Sequence, residues 1–224
     1  MREFPAAKTI CLLSLCSFLA LGAFGIRYAS QTCDEGLLLV SGYSYFATGD
    51  FRINQDHPPL GKLLLALPVY LFERPAFSPD PAAWETARTR PVAGWVIAKE
   101  FLYGPAMDAD RILGLGRLTA LAAGFLTILL IGLWSYRLWG WNGAAASVAL
   151  ASFDPTLLAH SSLATLDALL AFFFFLTAFS LFEYERTGKK RFLLVACAGG
   201  AAILEIKFVG LALLLLLCAL WGLS

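Results

Sequence analysis

Apolar runs at 10–26, 112–134, 163–182 and 193–223 constrain this chain more than any other feature. They are too apolar and too long to share one soluble core. A helix needs about 20 mostly apolar residues to cross a hydrocarbon layer of about 30 Å. A further run at 142–158 lies between the second and third of them. Charged residues make up 15% of the chain, against roughly 25% in soluble domains, and the mean hydropathy is +0.71. These features predict an all-α polytopic membrane protein. The net charge of +1 gives no reason to expect a nucleic-acid partner. Of five cysteines, Cys11, Cys16, Cys197 and Cys218 lie in apolar runs and act as small hydrophobes; Cys33 has no obvious partner. No Cys or His spacing suggests zinc.

The chain divides into a first transmembrane helix (1–27), a long polar loop (28–111) and a transmembrane bundle (112–224) with spans near 112–134, 142–158, 163–182 and 193–223. Arg2 and Lys8 precede the first run, and Tyr28-Ala29-Ser30 is an acceptable cleavage end. The run is longer than the roughly 7–15 residues of a signal core, which favours a retained helix over a cleaved signal peptide. The last run is too long for one straight crossing, about 45 Å at a rise of about 1.5 Å per residue. It is either one tilted helix or two short ones meeting near Lys207, and the break is favoured.

Short-loop charge sets the orientation. The loop after 112–134 carries Arg137, and the loop after 163–182 carries Arg186, Lys189, Lys190 and Arg191. The 154–162 connection has no lysine or arginine. The basic loops therefore belong in the cytoplasm, and 34–62 and 154–162 on the outer face.

Residues 34–62 are the informative part of the polar loop. Asp34 can cap a helix that Gly49 stops. Pro58 forces His57 into an extended conformation. Pro59 suits the first turn of a short interfacial helix to Phe72, which Pro68 would kink. Residues 77–109 read as a loop rich in Pro and polar residues. Arg117 and Asp167 each lie some distance into a span from its outer end, about 9 Å for Arg117 at about 1.5 Å per residue. Charges so placed face the protein interior or an aqueous cavity. Either they form a structural ion pair, or they belong to a site opening outward. Asp34 and Glu35 are adjacent, about 100° apart on a helix of about 3.6 residues per turn, so only one aims fully at a given substrate atom. Taken singly, each has a plain reading: Asp34 as an N-cap, His57 as a loop histidine, Lys62 snorkelling to the headgroups. Together they suit one chemistry. A carboxylate takes the proton of an attacking hydroxyl, while lysine and arginine hold a phosphate and stabilise its charge as it leaves. A lipid-linked phosphate would enter such a site sideways from the bilayer.

The motifs that carry this set are Asp34-Glu35, HPPLGK at 57–62, RILGLGRLTALAAG at 111–124, SFDPTLLAHSSLATLDALLAFFF at 152–174 and ILEIKFVGL at 203–211. In order and approximate spacing they resemble the GT-C membrane glycosyltransferases that use lipid-phosphate sugars, the protein O-mannosyltransferase branch and its aminoarabinose-transferase relatives. The resemblance implies a GT-C-type helix bundle whose extracytoplasmic loop carries short interfacial helices. It implies inverting transfer of a sugar from a polyprenyl-phosphate donor to a hydroxyl of a protein, lipid or glycan. By position it makes Asp34 the general base, Lys62, Arg117 and His57 the contacts to the donor phosphate, Glu35 and Asp167 orienting groups, and Asp154 and Lys207 supporting ones. No metal or other cofactor is expected. The implied setting is a bacterial or archaeal plasma (inner) membrane, with the bilayer, the donor and the acceptor as partners. The chain departs from the family in length, having about half the spans of such enzymes. This leaves an alternative: a truncated or non-catalytic subunit of a split enzyme, with a second membrane chain supplying the missing part.

Overall fold

A computed structural model describes residues 5–105 and 107–222, and every regular element among them is an α-helix. Three helices are long and apolar enough to cross a membrane: α1 (Ala7–Tyr28), α6 (Ala109–Ser152) and α8 (Asp167–Thr187). The chain is an all-α integral membrane protein. Between α1 and α6 lie α2 (Cys33–Thr48), α3 (Pro59–Phe72), α4 (Pro81–Thr86) and α5 (Pro91–Tyr103). The remaining elements are α7 (Pro155–Ser161), α9 (Lys190–Leu204) and α10 (Gly210–Gly222).

Helix α6 has 44 residues. Straight, it would be about 66 Å long, twice a hydrocarbon core. Gly140 breaks it with φ 66° and ψ −161°, a conformation closed to residues with a Cβ. The chain folds back there. A Cβ on Gly132, before the break, would meet the Val148 side chain, after it, at 2.6 Å. The connection expected over 135–141 is thus concentrated in one residue. The return leg ends at Ser152, and α7 extends it with Asp154 as N-cap, accepting from Leu157 N at 2.7 Å.

Helices α8 and α9 pack side by side through a turn at Gly188, φ 66°. The 193–223 run is divided, α9 ending at Leu204 and α10 beginning at Gly210, with Lys207 between them. At 15 and 13 residues these helices are about 22 and 20 Å long, each short of a full crossing. Trp221 on α10 donates to Glu185 on α8, so α10 runs back toward the far end of α8. That end of the bundle also carries Trp134, Tyr136, Trp139 and Trp141, an aromatic belt. Buried Glu183 binds both Arg137 and Arg186 there at 2.9 Å.

The polar loop is mostly folded. Residues 77–109 contain α4 and α5, where the sequence suggested irregular loop. Pro81 and Pro91 open those helices as N-terminal prolines. Ala93, Ile97 and Phe101, spaced four apart on α5, pack into a core with Leu39 and Tyr43 of α2 and Leu65 and Val69 of α3. Pro68 stands inside α3, which runs through it. Helices α2 and α3 are in close contact at Gly42, where a Cβ would lie 2.0 Å from the Lys62 carbonyl oxygen. Backbone cannot give way as a side chain can. Gly42→Ala is therefore expected to destabilise the chain by about 1–3 kcal/mol, the cost of overpacking, read as a lowered Tm in detergent.

Candidate functional site

Helix α2 starts at Thr32, its N-cap, and Glu35 stands at the third helical position. The Glu35 carboxylate reaches back to the Thr32 N–H at 2.8 Å and to its hydroxyl at 3.1 Å, one arm of a capping box. Asp34 is thus not the cap, and its carboxylate is free for other work. Glu35 is fully buried, and Arg117 is 2% exposed. Arg117 grips Glu35 in a fork, Nε to Oε1 at 2.7 Å and Nη2 to Oε2 at 2.9 Å. Its other donors reach Ile26 O at 3.1 Å, Ala29 O at 2.8 Å and Ser30 O at 3.0 Å. Glu35 also accepts from Ala164 N at 2.8 Å. One buried pair therefore joins the end of α1, the start of α2, the early turns of α6 and the turn before α8.

The expected pairing of Arg117 with Asp167 does not form, and Arg117 does not line the cavity described below. A helix leaves its last carbonyls without partners, and those of α1 capture the guanidinium. Burial alone would push the Glu35 carboxyl up. The Arg117 guanidinium and the Thr32 and Ala164 amides outweigh it and hold the carboxyl below the usual carboxylate range.

Lys62, in the first turns of α3, is 1% exposed. Its ammonium donates to Asn54 O at 2.5 Å and His57 O at 2.7 Å and lies 5.1 Å from the centre of the Tyr45 ring. Lys62 holds the 54–57 turn from beneath instead of reaching outward to a phosphate, as the sequence had suggested. Asn54 has φ 50°, a strained value for a residue with a side chain. Burial lowers the Lys62 pKa to about 8, with Asp56 opposing the shift. In the unfolded chain the lysine titrates near 10.5. Between these values the unfolded state binds more protons, so this residue's contribution to stability rises with pH from about 8 to 10. Lys62→Met is expected to flatten that rise, as read from Tm measured against pH for both chains.

A cavity of about 270 Å³ opens beside this turn, and Asp34, His57, Asp167 and Lys207 line it together. Four of the eight site residues read from the sequence thus converge. Asp34 is exposed and makes no hydrogen bond or ion pair with a described residue, though its charge is felt at His57. Lys207 Nζ lies 2.6 Å from Asp167 Oδ1, and His160 Nδ1 lies 3.6 Å from Asp167 Oδ2. Asp167 thus finds its cation at the α9–α10 break. Leu60 N donates to Glu205 O at 3.0 Å. Pro58 and Pro59 have no N–H, so Leu60 offers the first free donor of α3, and Glu205 the orphan carbonyl that closes α9. This bond pins the His-Pro-Pro segment beside Lys207.

His57 Nδ1 is buried without a partner. Burial lowers the His57 pKa, with Lys207 and Lys62 acting the same way against Asp56 and Asp34, so the imidazole is neutral at pH 7. Asp154 caps α7 and is absent from the cavity wall. The wall includes residues that sequence reasoning passed over: Arg52, Arg88, Trp95 and Thr165. Arg52 is held by Asp50, at 2.9 and 2.7 Å, and by Trp84 O at 3.1 Å. Arg88 is exposed and donates to no described residue. No pattern in the sequence ties Arg88 or Trp95 to Asp34; the folding of 77–109 into α4 and α5 brings them there. No cluster of three or more His, Cys, Asp or Glu suited to a metal ion occurs among the described residues.

No family model, curated protein or solved structure matches the chain.

Proposed function

We propose that the protein is a GT-C-like glycosyltransferase that moves a sugar from a polyprenyl phosphate to a hydroxyl acceptor, with inversion, at the extracytoplasmic face of a plasma membrane. The observation that carries this reading is Asp34, an unpartnered carboxylate on the wall of a cavity shared with three cationic side chains, Arg52, Arg88 and Lys207. Asp34 accepts the proton of the acceptor hydroxyl as its oxygen attacks the anomeric carbon. The bond from that carbon to the phosphate oxygen breaks on the opposite face of the ring. The polyprenyl phosphate leaves with the electron pair, and the cations of the wall offset its charge. Neutral His57 adds no repulsion toward a cation or an anion. Glu35 and Arg117 act by fixing the α2 turn that presents Asp34, and Lys62 by fixing the turn that carries His57. The far end of the bundle carries Arg137, Arg186, Lys189, Lys190 and Arg191, which supports a cytoplasmic setting for that end and an outward one for the cavity.

The test incubates membranes containing the chain with labelled polyprenyl-phosphate sugars. Label is expected in a hydroxyl-bearing acceptor with wild type and not with Asp34→Asn. Transfer that appears after a second membrane chain is added assigns the site to a split enzyme. Absence of transfer from any such donor, with or without that chain, overturns the reading.

A further inference from the structure

The end of the bundle far from the cavity carries a charge pattern that the proposed chemistry does not use. Glu183 on α8 has a side chain 1% exposed, and one of its oxygens, Oε2, accepts from both Arg137 Nη1 and Arg186 Nη2, each at 2.9 Å. Arg186 Nε adds a longer bond to Oε1 at 3.3 Å. Two guanidiniums thus stand side by side over one buried carboxylate, and only one of the two positive charges has its counter-charge. A guanidinium has five donors; Glu183 takes one from Arg137 and two from Arg186. Both side chains are partly open, at 34% and 48% exposed. They come from separate elements, Arg137 just before the Gly140 reversal of α6 and Arg186 just before the Gly188 turn. Past that turn stand Lys189, Lys190 and Arg191, all exposed, whose side chains make no hydrogen bond or ion pair with a described residue. Lys189 is the N-cap of α9, and no side chain caps the amides there. A helix start is itself positive and disfavours cations, so these three add to the unmet charge. The other acid of this turn, Glu185, is already bonded to Trp221.

The depth of this patch is marked by its neighbours. Tyr136, Leu138 and Trp139 are exposed beside Arg137, and exposed aromatic rings of this kind sit where hydrocarbon meets headgroups. The anion at hand at that level is a phospholipid phosphate, which a guanidinium binds through two parallel donors. A zwitterionic lipid brings its own cation to the patch, whereas an anionic lipid brings none. We propose that Arg137 and Arg186, with Lys189, Lys190 and Arg191 around them, form a docking surface for the headgroup of an anionic phospholipid, whose phosphate takes the donors that Glu183 leaves. A lipid held there ties the α6 reversal to the α8–α9 turn, and by mass action it stabilises the folded bundle. The surface stands whether or not the chain transfers sugar.

The experiment compares phosphatidylglycerol with phosphatidylcholine of the same acyl chains. Native mass spectrometry of the full chain reads the binding of each, and Tm is measured in nanodiscs of either lipid. Wild type is expected to prefer phosphatidylglycerol about tenfold or more and to melt higher in it. Arg186→Gln leaves Arg137 on Glu183 and should lower the preference about fivefold, the worth of one cation at an anionic surface. Arg186→Lys, which keeps the charge but loses the fork, should recover only part of it. Lys190→Gln, exposed and unbonded, reads the same loss without touching Glu183. Lys99→Gln, on α5 outside the patch, should change nothing. Equal binding of the two lipids by wild type overturns the surface. A loss in Lys99→Gln as large as in Arg186→Gln does so too, because the response is then to net charge alone. A preference that survives Arg186→Gln undiminished, at unchanged Tm, overturns the arginine pair as its seat.

Discussion

Asp34→Asn is expected to lower transfer by about 10²–10⁴-fold, the usual contribution of a positioned general base. The fold should barely notice. The α2 cap rests on Thr32 and Glu35, and Asp34 bonds to no described residue. The variant gives up only the attraction of one carboxylate to the start of a helix, about 0.3–1 kcal/mol. Transfer assays on membranes, with Tm and insertion measured on the same preparation, separate the two effects. An Asp34→Asn chain that transfers at the wild-type rate removes Asp34 as the base. A large fall in Tm would show that the side chain has a structural duty the geometry does not reveal.

Arg117→Met is expected to destabilise the chain by about 3–5 kcal/mol, because it leaves the buried Glu35 carboxylate without its counter-charge. It also strips three backbone carbonyls at the end of α1 of their donor. Arg117→Lys should recover little, since an ammonium cannot fork a carboxylate and reach three carbonyls at once. Adding Glu35→Gln to Arg117→Met should return part of the loss, and the two single effects should not add. Thermal unfolding and protease resistance in detergent read these outcomes. A fall of under about 1 kcal/mol for Arg117→Met, the range of an exposed ion pair, would overturn the assignment of this pair as the joint of the fold.

Elements that depend on local chemistry were legible in the sequence. Pro59 at the start of α3, Gly49 at the end of α2 and the polar interruption at Lys207 each act through the backbone of their own neighbourhood. Partners were not. Arg117 and Glu35 are 82 positions apart, and depth along a span cannot tell which way a side chain faces around it. The sequence placed Asp167 inside a span at a depth that suits Arg117, yet it is the first residue of α8, and the α9–α10 break delivers Lys207 to it instead. Helix α5 was missed because prolines and charges flank it, although Ala93, Ile97 and Phe101 carry a helical repeat. With α5 unread, Trp95 and Arg88 had no reason to be placed near Asp34.

The bond from Leu60 to Glu205 makes two distant parts of the chain one mechanical piece. Because α9 and α10 are both short, a thicker or thinner bilayer meets them as a change of tilt, and their joint moves with it. His57 and Lys207 then travel together, and α5 is coupled to them through the core it shares with α2 and α3. Lipid thickness would act on the cavity as one body and leave the side chains' chemistry untouched.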